Sequence, residues 1–170
     1  LRILRCARFV SQLGFAVDRK TYEALFQIKD PLKGVSPERL RDELEKTLMT
    51  NHTERIGEMI NLGLLDRYVH RGEGETPSFS ALSQLQKKAL PRWAVFAIML
   101  EVNGYIGSVR DFLAGLRLDG HTIRCCADAS AIAAAPPPQD KLGWKKLLNR
   151  YGVDAAACAP GELDKIKDAC

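Results

Sequence analysis

The chain has 170 residues, of which 46% are hydrophobic and 27% are charged, a composition typical of a globular protein that can bury its own core. The longest apolar run, residues 93–100, is far too short to span a membrane, and the N-terminus lacks the pattern of a signal peptide. The net charge of +4, from 25 basic and 21 acidic residues, supports an anionic partner only weakly. We therefore expect a cytoplasmic protein without a membrane partner.

The first segment predicts a basic, amphipathic helix. Residues 1–13 hold three arginines and no acid, and Gly14 follows as a helix stop. The apolar residues recur at steps of three and four, which predicts one buried face formed by Ile3, Cys6, Ala7, Val10 and Leu13. At about 100° per residue, the arginines form a slowly drifting stripe of Arg2, Arg5 and Arg8.

Two capped helices follow. Asp18 is a good N-cap for a helix through residue 28, and Ser36 with Pro37 is a strong start for the next one. In that third helix the buried stripe is predicted to be Leu40, Leu44 and Leu48. The spacing places Arg39, Glu43 and Lys46 together on the face opposite the leucines, either as plain helix surface or as support for a site.

The remainder also has a helical period, so the sequence predicts an all-α fold. The loop-forming composition of residues 70–80 divides the chain into a first helical region, residues 1–69, and a second, residues 81–170. Further helices are predicted over residues 53–62, 81–90, 91–102, 108–118, 119–134, 140–151 and 162–167.

Few residues predict chemistry. The scattered cysteines (positions 6, 125, 126, 158 and 170) include no CxxC, and the three histidines form no HExxH or HxxxH pair, so we expect reduced thiols and no metal site. Paired catalytic carboxylates and a glycine-rich phosphate loop are missing. Trp93 lies in so apolar a segment that a core position is favoured over base stacking. The arginine stripe suits phosphates and base edges, although the same spacing also occurs on a solvated helix face.

Two stretches resemble a known family. LRILRCARFVSQLGFAVD is similar to the "LRxxRAxRFxxxLGFxID" segment that follows the catalytic head of bacterial class II tRNA nucleotidyltransferases and poly(A) polymerases. GVSPERLRDELEKTL resembles their next motif, "xVSxERIxxELxKxL". Weaker similarities continue to about residue 130. The resemblance implies a multi-helix neck, body and tail, and a fragment cut inside the family's EDxxR motif, with the catalytic head missing.

The resemblance also implies roles for individual residues. Arg2 matches the arginine of EDxxR, so Arg2 and Arg5 are expected to bind the nucleotide. Supporting positions are expected at Arg8, Arg39, Glu43 and Lys46. Weak, sequence-independent tRNA binding is expected from the basic residues Arg117, Arg124, Lys141, Lys145, Lys146 and Arg150.

The expected activity is that of the whole family member. The fragment alone is predicted to be inactive and to hold no cofactor, whereas the intact parent is expected to use Mg²⁺ with ATP and CTP bound through its head domain. Where some relatives carry an HD phosphohydrolase motif, this chain reads MLEVNG, which argues against that activity. CCA addition, addition of A alone and poly(A) synthesis remain open. A free-standing helical RNA-binding or scaffold module is the alternative.

Overall fold

A computed structural model of the chain describes residues 2–28, 31–70 and 76–159, apart from the side chain of Phe26. The regular structure in these ranges consists of helices. Within these ranges there is no β-strand, so the all-α prediction is confirmed. The helices are α1 (Arg2–Leu13), α2 (Arg19–Phe26), α3 (Pro37–Leu48), α4 (Ile56–Asn61), α5 (Ala81–Gln84), α6 (Ala89–Val102), α7 (Val109–Gly115), α8 (Gly120–Ala134), α9 (Lys141–Tyr151) and α10 (Val153–Cys158). A 3₁₀ turn, Thr53–Arg55, leads into α4.

Local capping fixes several helix starts, two of them at the caps that the sequence predicted. The side chain of Asp18 accepts hydrogen bonds from the backbone N–H groups at the start of α2, and Ser36 accepts one from Arg39 N–H in α3. Asp119 and Asp140 cap α8 and α9 in the same way. These carboxylates and hydroxyls satisfy N–H groups that have no partner inside the helix, so each start is determined by a few neighbouring residues.

Some predicted boundaries are wrong. The helix expected over residues 81–90 is the short α5, and α6 begins at Ala89, two residues before Pro91. Proline is tolerated there because the first turn of a helix needs no N–H donor. A further helix, α10, was not predicted, and the helix expected over residues 162–167 lies outside the described residues.

Helix α6 is the centre of the core. Its residues from Arg92 to Ile98 are all buried, and it packs against α3, α7, α8 and α10. The ring of Phe96 lies 5.4 Å from that of Phe79, 6.2 Å from that of Trp93 and 6.1 Å from that of Phe112. The core position predicted for Trp93 is confirmed, because its side chain is fully buried. This aromatic cluster gives the surrounding helices a rigid support.

Helix α1 lies across α3. The predicted stripe of Leu40, Leu44 and Leu48 is buried, and α1 contributes Leu4 to the same core. The prediction of which face of α1 is buried is wrong in part, because Cys6 and Leu13 are exposed, whereas Leu4 and Ser11 are buried. The packing against α3, rather than the apolar period of α1 alone, determines which side of the helix turns inward.

Gly14 ends α1 at the predicted position. Its φ of +69° is a conformation that favours glycine, and its N–H donates to the carbonyl of Val10. A Cβ at this position would lie 2.7 Å from the imidazole of His52, so both the backbone conformation and the space favour glycine.

No helix in the described ranges is both long enough and apolar enough to cross a lipid bilayer. The division of the chain at residues 70–80 remains a prediction, and residues 71–75 of that segment lie outside the described ranges.

Candidate functional site

Arg8 turns towards α3 and forms an ion pair there. Its Nε donates to Oε2 of Glu43 at 2.8 Å, and its Nη1 donates to Oε1 of Gln12 at 2.8 Å. The guanidinium also lies over the ring of Phe9, 4.2 Å from the ring centroid. Arg8 is therefore held on several sides, and the supporting role that the resemblance implies for it stays a prediction.

Glu43 is the buried member of this network. Only 6% of the residue is exposed, and Lys46 Nζ donates to its Oε1 at 3.3 Å, while Arg8 occupies Oε2. Burial acts to raise the pKa of Glu43, but the hydrogen bonds from Arg8 and Lys46 and their charges outweigh it, so the pKa lies below its ordinary value. The carboxylate is ionised at neutral pH and joins α1 to α3.

The prediction that Glu43 lies opposite the leucine stripe is wrong. Glu43 is buried next to Leu44 because α1 covers that side of α3. Arg39 and Lys46 remain exposed, as expected for residues at the edge of the helix interface. The trio therefore combines one buried carboxylate with two exposed cations instead of lying on a uniformly solvated face.

A pocket with a volume of about 250 Å³ opens beside this carboxylate. It is lined by Arg5, Arg39, Asp42, Glu43 and Lys46. We call these five residues the basic pocket.

Two guanidinium groups of the basic pocket are free for a ligand. Lys46 binds Glu43, and Asp42 binds the neighbouring Arg41 at 2.9 Å. Within the described part of the chain, neither Arg5 nor Arg39 has a hydrogen-bond or ion-pair partner for its side chain. An arginine presents planar, permanently charged donors that match phosphate oxygens or a base edge.

Arg2 is separated from the basic pocket. It is exposed on the first turn of α1 and does not line the pocket. Of the two residues predicted to bind the nucleotide, the structure brings only Arg5 together with Arg39 and Lys46.

A second, larger depression shares Lys46 with the basic pocket. Its volume is about 510 Å³, and sequence reasoning selected only Lys46 among its residues. The others are Gln12, Leu13, Glu45, Met49, Thr50, Asn51 and Lys87. They come from separate segments that meet only in the fold, so no spacing in the sequence indicates them. Lys46 therefore lies between two adjoining concave surfaces.

The cations expected to bind RNA fall into separate places. All six are exposed, and four of them, Lys141, Lys145, Lys146 and Arg150, lie on α9. Arg124 lies on α8, which packs against α9. Arg117 lies between α7 and α8, and its carbonyl accepts a hydrogen bond of 2.7 Å from Arg41 of α3. The structure thus assembles a basic helix, not a single six-residue cluster.

Arg92 is a structurally important residue that sequence reasoning missed. Its guanidinium is fully buried, and burial lowers its pKa. It donates to four backbone carbonyls, those of Leu48 and Thr50 at and beyond the end of α3 and those of Leu85 and Gln86 before α6. The one signal in the sequence is an arginine directly before the apolar run of residues 93–100. By holding the C-terminal end of α3, Arg92 supports the helix that carries Glu43 and Lys46.

The chain is similar to several known proteins. Residues 14–69 match the family described as the probable RNA and SrmB-binding site of polymerase A. The CCA-adding enzyme of Geobacillus kaustophilus (strain HTA426) is 30% identical over 186 residues, covering 95% of this chain and 42% of that enzyme. The CCA-adding enzyme of Bacillus velezensis is 32% identical over 136 residues, covering 73% of this chain and 32% of the enzyme.

The similarity is higher in a short segment. The CCA-adding enzyme of Bacillus pumilus is 44% identical over 55 residues, which are 32% of this chain and 14% of that enzyme. The chain spans less than half the length of each of these relatives. No solved structure matches it at a significant level.

Proposed function

The chain belongs to the family of the bacterial CCA-adding enzymes, of which it represents a C-terminal part, and on that premise we propose that it serves a tRNA 3′-end nucleotidyltransferase. In this proposal the α1–α3 region contributes to nucleotide selection and α9 to tRNA binding. The partners are tRNA and, through the catalytic head expected in the intact parent, ATP and CTP with Mg²⁺.

The observation that carries nucleotide selection is the buried Arg8–Glu43 ion pair beside Arg5 and Arg39, which have no partner in the described part of the chain. Because Glu43 fixes the packing of α1 against α3, it also fixes the positions from which Arg5 and Arg39 enter the basic pocket. Paired N–H donors on a planar guanidinium can bind the acceptors of a base edge or of a phosphate. A site in which the donors are positioned before the ligand arrives can discriminate between ligands.

The observation that favours RNA binding is the charge of α9. This helix carries four exposed cations and no acidic residue within its bounds. A-form RNA offers proteins mainly its backbone and shape, so such a surface would contribute affinity without reading sequence.

We expect no nucleotide transfer by residues 1–170 alone. Transfer of a nucleotidyl group uses metal ions that are held by carboxylates and act on the attacking hydroxyl and the leaving pyrophosphate. The sequence contains no pair of aspartates separated by a single residue. Incorporation of labelled CTP or ATP into tRNA by the purified 170-residue chain would contradict this expectation.

A poly(A) polymerase is the second candidate, because residues 14–69 match a family named for polymerase A. A chimaera distinguishes the candidates: residues 1–170 are joined to the part of the Geobacillus kaustophilus CCA-adding enzyme that they do not cover. The substrate is tRNA without its 3′ CCA, and labelled CTP and ATP are supplied separately and together.

The proposal expects C and A to be added in a limited number. Addition of A alone, or of a long A tail, would instead support an A-adding enzyme or a poly(A) polymerase. A folded chimaera that adds no nucleotide, next to an active parent enzyme, would support a binding or scaffold module. The variant R5A/R39A in the active chimaera then tests whether the basic pocket takes part.

A further inference from the structure

We propose that His121, Cys125 and Asp154 form a zinc-binding site that joins α8 to α10. His121 and Cys125 are four residues apart on α8, so their side chains lie on one face of the helix. Asp154 reaches the same place from the first turn of α10. The candidate ligand atoms of all three lie within 4.8 Å of one another.

Two of the three distances between ligand atoms are close to those of a tetrahedral zinc site. Typical bonds of about 2.3 Å to sulfur and 2.0–2.1 Å to nitrogen place two ligand atoms about 3.5 Å apart. Sγ of Cys125 lies 3.7 Å from Nε2 of His121, and Oδ2 of Asp154 lies 3.8 Å from the same Nε2. Small rotations of the two exposed side chains, His121 and Asp154, close the remaining gap, while Cys125 is held by burial.

The mixture of donors selects the metal. A thiolate with an imidazole suits zinc and other transition metals, whereas magnesium and calcium prefer sites made of oxygen alone. Three protein ligands leave the fourth position of a tetrahedral ion for a water molecule from the exposed side. The charges that act on the thiol are those of Asp154, Asp128 and Asp119 and the opposing charge of Arg124, so acidic residues outnumber basic ones around the site.

Binding requires one proton to leave. A cysteine binds zinc as the thiolate. Zn²⁺ then replaces the thiol proton: the S–H bond breaks, a S–Zn bond forms, and the proton passes to the buffer. No electron is transferred.

The site would fasten the last described helix to the core. Helix α10 is six residues long and follows Gly152, and it packs against α8, α6 and α9. A metal held by both α8 and α10 binds only while the two are together, so it stabilises their packing. The sequence search for histidine pairs does not detect a histidine–cysteine pair whose third ligand comes from another helix.

The experiment is a titration of the purified 170-residue chain with Co²⁺, followed by competition with Zn²⁺. Cobalt in place of zinc gives a thiolate-to-metal charge-transfer absorption, and bound zinc should raise the melting temperature by roughly 5–10 °C at about 100 times its Kd. The variants are H121A, C125S and D154N. Their matched controls are H52A, C6S and D18N, which change the same residue types outside the cluster. Circular dichroism checks that each variant is folded.

We expect one cobalt per chain, full loss of the charge-transfer band in C125S, and loss of the zinc-induced thermal shift in H121A and C125S. D154N should bind more weakly, and the three controls should behave as the unchanged chain does. The proposal is overturned if the unchanged chain shows no charge-transfer band and no thermal shift. It is equally overturned if the band persists in C125S or if H121A keeps the full shift.

Discussion

Helices α1 and α9 have similar charge but different surroundings. Each carries several cations and no acidic residue within its bounds. In α1, Arg8 is bound by Glu43 of the neighbouring helix, and Arg5 enters a pocket that also contains Arg39. In α9, all four cations are exposed, and none has an ion-pair partner among the described residues.

The difference separates two ways of using positive charge. A buried carboxylate costs free energy to desolvate, but it fixes the geometry of the guanidinium groups around it. Exposed lysines on a single helix fix no geometry, and they attract a polyanion through an electrostatic effect that salt weakens. We therefore propose that α1 with α3 discriminates between ligands and that α9 attracts RNA unspecifically.

The largest expected effect is the loss of stability in Glu43→Ala. This change leaves Arg8 partly buried without its counter-charge, which costs about 3 kcal/mol, the lower end for a broken buried pair because Arg8 can still reach water. The free energy of unfolding, measured with urea, should fall by that amount.

The control for this prediction is Glu23→Ala. Glu23 forms an ion pair with Arg19 at 2.9 Å, but both side chains are mostly exposed. Such a pair contributes about 0.5 kcal/mol or less. Equal losses in the two variants would mean that the Arg8–Glu43 pair is ordinary surface.

The next effect concerns nucleotide selection. In the active chimaera, Arg5→Ala or Arg39→Ala should reduce the preference for CTP and ATP over GTP and UTP by about 1–3 kcal/mol, the value of a good bidentate hydrogen-bonded pair with a base. Competition between labelled nucleotides measures this preference. Arg2→Ala carries the same charge change outside the basic pocket, and a larger loss in Arg2→Ala than in either pocket variant would transfer the role to Arg2.

A smaller effect is the response of stability to acid. The pKa of Glu43 lies below 4.5, its ordinary value, so the unfolded chain takes up a proton before the folded one does as the pH falls. The stabilisation from ionised Glu43 is therefore complete above about pH 4.5 and is lost as the pH falls through the folded-state pKa. In Glu43→Gln this part of the acid dependence should disappear. The measurement is the free energy of unfolding in urea at several pH values. If it falls in the same way for both proteins as the pH falls, ionised Glu43 does not provide this stabilisation.

The smallest effects per residue are expected on α9. Replacing any one of its four cations by glutamine should weaken tRNA binding slightly. Replacing all four should lower the slope of log K against log salt by about 0.7–0.9 for each phosphate that the helix no longer neutralises. The control neutralises four exposed cations elsewhere: Arg19, Lys20, Lys33 and Arg110. A control that lowers the slope as much as the α9 variant would show that only total charge matters.

The sequence predicts what is local in this fold. The predicted caps Asp18 and Ser36 are confirmed because a cap and its N–H partners lie within three residues of each other. The leucine stripe of α3 is confirmed for a similar reason, since it depends only on the helical period.

What depends on packing between distant segments could not be predicted. The burial of Glu43 depends on how α1 crosses α3, which the period of α3 alone does not contain. The four carbonyls that bind Arg92 come from two segments that are distant in the sequence. The basic pocket likewise combines residues from two helices. Local patterns therefore predicted which helices carry the charged residues, but not which of these side chains form ion pairs, become buried or line a pocket.

The division of labour between α1 and α9 is tested most directly in the active chimaera by measuring two quantities for the same two variants. The quantities are the nucleotide preference and the salt dependence of tRNA binding, and the variants are R5A/R39A and the fourfold glutamine variant of α9. We predict that R5A/R39A changes the nucleotide preference and leaves the salt slope nearly unchanged, while the α9 variant does the reverse. If both variants change the same quantity, or if the two results are exchanged, the account is contradicted.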